Sequence, residues 1–176
     1  MERTIKKDKV SQTFDLEELL GYSPSTEQKE LFYKLAVDKM VERTVSGSDV
    51  NGSKFPSYNK DYAAEKGVSV GSVDLVLTGD MLDSFSDNYA GDMVTISVNS
   101  SNAGKAHGNI TGSYGKPSGV KSKARDFFGF KNKSDVSDIV SQVNALRESD
   151  VEFSNGLTDL AELRALVNQI RLEISE

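Results

Sequence analysis

Asp92-Met93-Val94-Thr95-Ile96-Ser97-Val98-Asn99 is the stretch that decides the fold class. Val94, Ile96 and Val98 alternate with Thr95 and Ser97, the period-two pattern of a strand with one face on a core and one toward water. Upstream, Val73-Asp74-Leu75-Val76-Leu77 reads as a second strand, followed by a turn at Thr78-Gly79 and a short helix from Asp80 to about Phe85.

Helices are expected to cover these strands. From about Pro24 to Thr44, Leu31, Phe32, Leu35, Ala36, Met40 and Val41 recur at the three-and-four spacing of an apolar helical stripe. Ser23 before Pro24 suits an N-cap with proline at the first helical position, and Glu27 and Glu30 suit the positive end of the helix dipole. Gly47 ends it. Asn51-Gly52 marks a turn, and Asn59 to Lys66 reads as a short helix closed by Gly67.

Two more helices end the chain. In one, Ser134 caps a stripe of Val136, Ile139, Val140, Val143 and Leu146. In the other, Thr158 precedes Leu160, Leu163, Val167, Ile170 and Ile174, a seam of barely more than two heptads that suits packing on its own domain or docking on another subunit. The expected fold is α+β: a small antiparallel or mixed β-sheet packed against a long N-terminal helix, with additional C-terminal helices. Residues 1–24 read as a polar arm whose patch Phe14–Leu20 folds onto its own domain or docks on a neighbour. Residues 25–130 form the α+β domain, with a long loop at 99–124 rich in Ser, Asn, Gly and Lys, and residues 131–176 form a helical extension.

Composition narrows the function. Hydrophobic residues make up 37% of the 176 and charged residues 27%, slightly lean for a self-sufficient globule, so part of the chain is expected to order against neighbours. The chain has no cysteine, which excludes disulfides and thiolate metal sites and suits a reducing compartment. No apolar run approaches the length of a bilayer span, and Met1-Glu2-Arg3-Thr4 leads into charged residues, so a soluble, cytoplasmically assembled protein is expected. Lys105, Lys116, Lys121, Lys123, Arg125, Lys131 and Lys133 face only Asp126 in their segment, within a chain of net charge −6. This basic stretch suits a solvated loop, a contact with acidic neighbouring subunits, or non-specific contact with DNA.

Catalytic motifs fail on inspection. His107, the one histidine, lies among glycines with no nucleophile at motif spacing. Gly115-Lys116 is followed by Pro117, and Ile110 stands where a phosphate loop needs glycine. Asp49-Val50-Asn51-Gly52 begins like a calcium loop, but Lys54 holds the required glycine position. The chain is expected to be no enzyme and to need no cofactor or metal.

Residues 52–67, Gly-Ser-Lys-Phe-Pro-Ser-Tyr-Asn-Lys-Asp-Tyr-Ala-Ala-Glu-Lys-Gly, followed by Val73-Asp74-Leu75-Val76-Leu77-Thr78-Gly79-Asp80-Met81-Leu82-Asp83-Ser84, resemble phage tail-completion and virion-morphogenesis proteins. In that family the order continues through a strand and an Ala/His/Gly loop, here Ala106-His107-Gly108 with Gly112. An Arg-x-Phe-Phe-Gly element follows, here Arg125-Asp126-Phe127-Phe128-Gly129. Relatives often place Pro-Ala-Arg where this chain has Lys123-Ala124-Arg125, and the C-terminal helices extend past the shared block. The resemblance implies a structural subunit at the head–tail junction of a virion: a six- or twelve-fold ring among neck, portal-adaptor or tail proteins, through which DNA passes. A tail terminator ring is the near alternative, and a small nucleic-acid-binding regulator the alternative of another class. Phe55, Tyr58, Tyr62, Gly67, Leu77, Thr78, Gly79, Met81, Leu82, Phe127 and Phe128 are then fold-building residues. Arg125 is the candidate for gripping a carboxylate across a subunit boundary.

Overall fold

Alternation along Met93–Val98 does produce a strand, and it lies inside a four-stranded antiparallel sheet of order β1-β2-β4-β3. The strands are β1 Glu2–Ile5, β2 Val10–Asp15, β3 Phe85–Ala90 and β4 Met93–Val98. The helices are α1 Leu16–Leu20, α2 Thr26–Val45, α3 Lys60–Lys66 and α4 Ser100–Thr111. The computed structural model describes residues 1–75, 79–113 and 123–147. The chain divides into two units, Met1–Val140 and Ser141–Glu176. In the second, residues 141–147 are helical; the expected helix from Thr158 lies outside the described residues.

Cross-strand register puts Val10 opposite Val98, Gln12 opposite Ile96 and Phe14 opposite Val94. These six side chains share one face and are buried, while Thr13 and Thr95 share the other, their hydroxyls 2.9 Å apart. Helix α2 covers the apolar face: Phe14 meets Phe32 edge-on at 5.1 Å. Full burial of one such ring contributes about 2 kcal/mol. Gln28, Phe32, Ala36, Met40 and Thr44, one every four residues, form the buried stripe of α2.

The expected arm is a correction. Residues 1–24 hold β1, β2 and α1, and β2 is an interior strand with Val10 and Phe14 fully buried. The pattern Val10-Ser11-Gln12-Thr13-Phe14 hides its period because a glutamine occupies an inward slot. Helix α2 also starts later than Ser23-Pro24 suggests. Ser25 is its N-cap, in a reciprocal box with Gln28: the Gln28 N–H donates to Ser25 Oγ at 3.2 Å, and the Ser25 N–H to Gln28 Oε1 at 3.0 Å. Ser23 has Thr26 three residues on and lacks that partner; its hydroxyl donates to Asp92 at 2.7 Å.

Three more expectations change. Residues 73–75 are not strand, Leu75 having φ 55°, while 76–78 lie outside the described residues. Asp80–Ser84 are turns, and Phe85 opens β3. The loop expected at 99–124 contains α4, capped by Asn99, whose side chain accepts from the Asn102 N–H at 3.1 Å. Gly104 and Gly108 each disfavour helix by about 1 kcal/mol, but Ala103, Ala106 and Ile110 bury on one face. Finally, Ser134 lies within a 3-10 turn, Lys133–Val136, led in by Asn132. Val136 and Ile139 from that stripe are buried.

Candidate functional site

Tyr58 gathers the two ends of the 52–130 segment. Asn59 caps α3 through the Tyr62 N–H at 2.7 Å and Gly67 closes it. One helical turn therefore separates Tyr62 from Tyr58, and their rings meet edge-on at 4.9 Å. The Tyr58 hydroxyl accepts from the Leu75 N–H at 3.2 Å and from Lys66 Nζ at 3.2 Å. Lys66 also pairs with Asp74. Burial alone would depress the Lys66 ammonium, but hydrogen bonds to Asp74 and Tyr58 outweigh it and raise its pKa.

Arg125 closes this cluster from the far end. Its Nη2 and Nε donate to the Pro56 carbonyl at 3.0 and 3.2 Å, and its guanidinium lies 5.1 Å from the Tyr58 ring centre. Burial lowers its pKa, with Tyr58 and Tyr62 opposing. Within its own chain, Arg125 turns these donors to backbone carbonyls and its guanidinium to the Tyr58 ring.

The aromatic run that follows is strapped inward. Gln12 Nε2 donates to the Phe130 carbonyl at 2.7 Å, and Gln12 Oε1 accepts from the Phe130 N–H at 2.8 Å. Arg43 Nη2 donates to the Phe127 and Gly129 carbonyls at 2.7 and 2.8 Å. Burial lowers the Arg43 pKa, opposed by Asp126, and Asp126 pairs with Arg3. Phe127, Phe128 and Phe130 are all at most 2% exposed, and Phe128 stacks on Phe85 at 5.9 Å. Gly129 sits at φ +79°, and a Cβ there would collide with Gln12 Oε1. Sequence reading missed Arg3, Gln12, Arg43, Lys66 and Asp74. No spacing connects a glutamine in one strand to a backbone 118 residues away.

The other expected residues scatter. Phe55, Met81 and Leu82 are buried, and Gly79 has φ +86°. The expected basic loop is divided. Lys105 lies on α4, Arg125 turns inward, Lys123 and Lys131 are exposed, and Lys133 pairs with Glu18. Leu77, Thr78, Lys116, Lys121, Leu160, Leu163, Val167, Ile170 and Ile174 lie outside the described residues.

Charge collects at the two ends of the sheet instead. Beside β1, a cleft of 480 Å³ is lined by Met1, Arg3, Gln12, Phe130, Lys131, Asn132 and Lys133. Beside the start of β3, a cleft of 660 Å³ has Asp38, Glu42 and Asp83 around Tyr33, Val37, Val41, Val45, Leu82 and Phe85. Among the described residues no group of acids and histidine is placed to hold a metal ion, and no helix is long and apolar enough to cross a membrane. Comparison with protein-family models, curated proteins and solved structures returned no match for this chain.

Proposed function

We propose that the chain is a structural, non-catalytic subunit of a tailed-phage virion. It forms a ring in the neck or tail-completion region that joins head to tail and lets DNA pass. The observation that carries this reading is the ordered resemblance over residues 52–130, whose outer elements meet at Tyr58 and Arg125. Residues far apart in the sequence pattern thus build one packed unit, as a family-defining scaffold requires. Their side chains hold backbone and rings together, a role suited to presenting surfaces to neighbouring copies.

The test is genetic and compositional. Deleting the gene from the phage is expected to yield filled heads and separate tails, with infectivity restored by the chain supplied in trans. Mass spectrometry of purified particles is expected to find the chain in multiple copies per particle. Normal, fully composed particles without it would refute the proposal. Tight binding to short duplex DNA at physiological salt, with no particle association, would favour the regulator instead.

A further inference from the structure

The two edges of the sheet are chemically opposite. Among the described residues, strands β1 and β3 each pair on one side only, so each has an outer side whose N–H and C=O groups no described strand takes up. β1 and the turn after it carry Arg3, Lys6, Lys7 and Lys9 against Glu2 and Asp8, and Lys6, Lys7 and Lys9 are exposed. The cleft beside β1 adds Lys131 and Lys133 with no acid in its lining, although Lys133 pairs with Glu18 and Arg3 with Asp126 outside it. Around β3, residues 79–92 hold Asp80, Asp83, Asp87 and Asp92 and no lysine or arginine. The neighbouring cleft adds Asp38 and Glu42 with no base in its lining. Lys29 approaches this end, donating to the Gly91 carbonyl at 2.7 Å, and Lys34 pairs with Asp38 at 2.7 Å.

Direction and register fit as well. Three antiparallel pairings separate β1 from β3, so the two edge strands run in opposite senses. Laying the β1 of one copy on the β3 of the next therefore continues an antiparallel sheet. The rows of the sheet are Ile5-Val10-Val98-Phe85, Thr4-Ser11-Ser97-Ser86, Arg3-Gln12-Ile96-Asp87 and Glu2-Thr13-Thr95-Asn88. Extending each row without a shift sets Phe85 against the next copy's Ile5, Ser86 against Thr4, Asp87 against Arg3 and Asn88 against Glu2. Apolar meets apolar and hydroxyl meets hydroxyl. Asp87 meets an arginine that its own chain already pairs with Asp126, and further along the same register Asp83 falls opposite the exposed Lys7. Pairing β3 antiparallel with a second β3 about Phe85 would instead set Asp83 of each copy against Asp87 of the other, which like-charge repulsion disfavours.

We infer that copies of this chain join head to tail by adding the basic β1 edge of one onto the acidic β3 edge of the next. The inference rests on the ring reading above and names the contact that builds the ring. Such a contact uses two different patches, so it repeats and closes when the rotation between copies permits. The shear and twist between sheets then set the number of copies.

The chain contains no cysteine, so introduced thiols report only their own positions. T4C protein is mixed with S86C protein at high concentration and bridged with a short bis-maleimide. A linked T4C–S86C dimer is expected, and S86C alone is expected to link at least tenfold less. The double variant T4C/S86C should give a ladder of linked copies that stops at the ring number. Absence of the mixed dimer, or S86C linking to itself as readily, overturns the inference. Charge reversal supplies a second reading that is independent of the thiols' geometry. D83K/D87K and K6E/K7E/K9E, each in the cysteine background, should lose linking alone and recover it when mixed; loss without recovery overturns the charge pairing. Linked copies with no chain in virions would sink the virion reading and leave the edge contact standing. Chain in virions without linking would sink the edge contact alone.

Discussion

The strap Phe127–Phe130 and the edge strand Phe85–Ala90 use polar chemistry in opposite ways. At the strap, Gln12 and Arg43 turn inward to satisfy backbone groups that three buried phenylalanines carry into the core. At the edge, Ser86, Asp87 and Asn88 stay exposed, and among the described residues no strand pairs with the outer side of β3. The first region fixes the fold. The second is available to a neighbour. Charge alone does not distinguish them: Arg125, from the most basic part of the chain, belongs to the first kind, and Asp87 to the second.

Changes at the strap should therefore cost stability, and changes at the edge should cost association. The largest effect is expected from Phe128→Ala, which leaves a cavity beside Phe85 and Phe127. It should destabilise the domain by about 3–5 kcal/mol in denaturant titration. Gln12→Leu strands the Phe130 N–H and carbonyl, each at a cost of about 1–3 kcal/mol. A Gln12→Leu protein as stable as the parent would break the comparison on the strap side. Tyr58→Phe removes the acceptor of the Leu75 N–H, at a cost of about 1 kcal/mol. Asp87→Lys, exposed on the edge, should change stability by less than about 0.5 kcal/mol while weakening association seen by sedimentation. The smallest effect concerns a surface pair. Asp138 is held below the ordinary carboxylate range chiefly by its hydrogen bond from Lys39. A depressed carboxyl stabilises above its unfolded pKa and loses that contribution as pH falls through its folded value. Lys39→Ala should raise the Asp138 pKa toward the usual value of about 4 in an NMR titration.

The same contrast explains what the sequence disclosed. β4 and α3 were legible because period and caps agree with burial: Val94, Ile96 and Val98 alternate, and Asn59 and Gly67 bracket Lys60–Lys66. α2 was legible from its stripe through Phe32, Ala36 and Met40, though not from its cap. β2 was hidden because Gln12 fills an inward position that only a distant backbone segment satisfies. α4 was hidden because its buried face is built from Ala103 and Ala106 among glycines, residues of low hydrophobic signal. β3 was hidden because an edge strand with one covered side shows little apolar alternation; Phe85 and Tyr89 are its half-buried residues. Phe55, Tyr58, Phe127 and Phe128 are buried, as their apolar rings suggest. The inward turn of Arg125 was not legible, since a guanidinium that bonds backbone looks the same in sequence as one that bonds a neighbour.

The central claim is a ring of this chain at the head–tail junction, and an electron cryo-microscopy map of that junction tests it most directly. The account predicts a closed ring of identical subunits, six or twelve in number, into which residues 1–140 fit with the β1 of each copy beside the β3 of the next. A junction whose density is fully accounted for by other chains would contradict it.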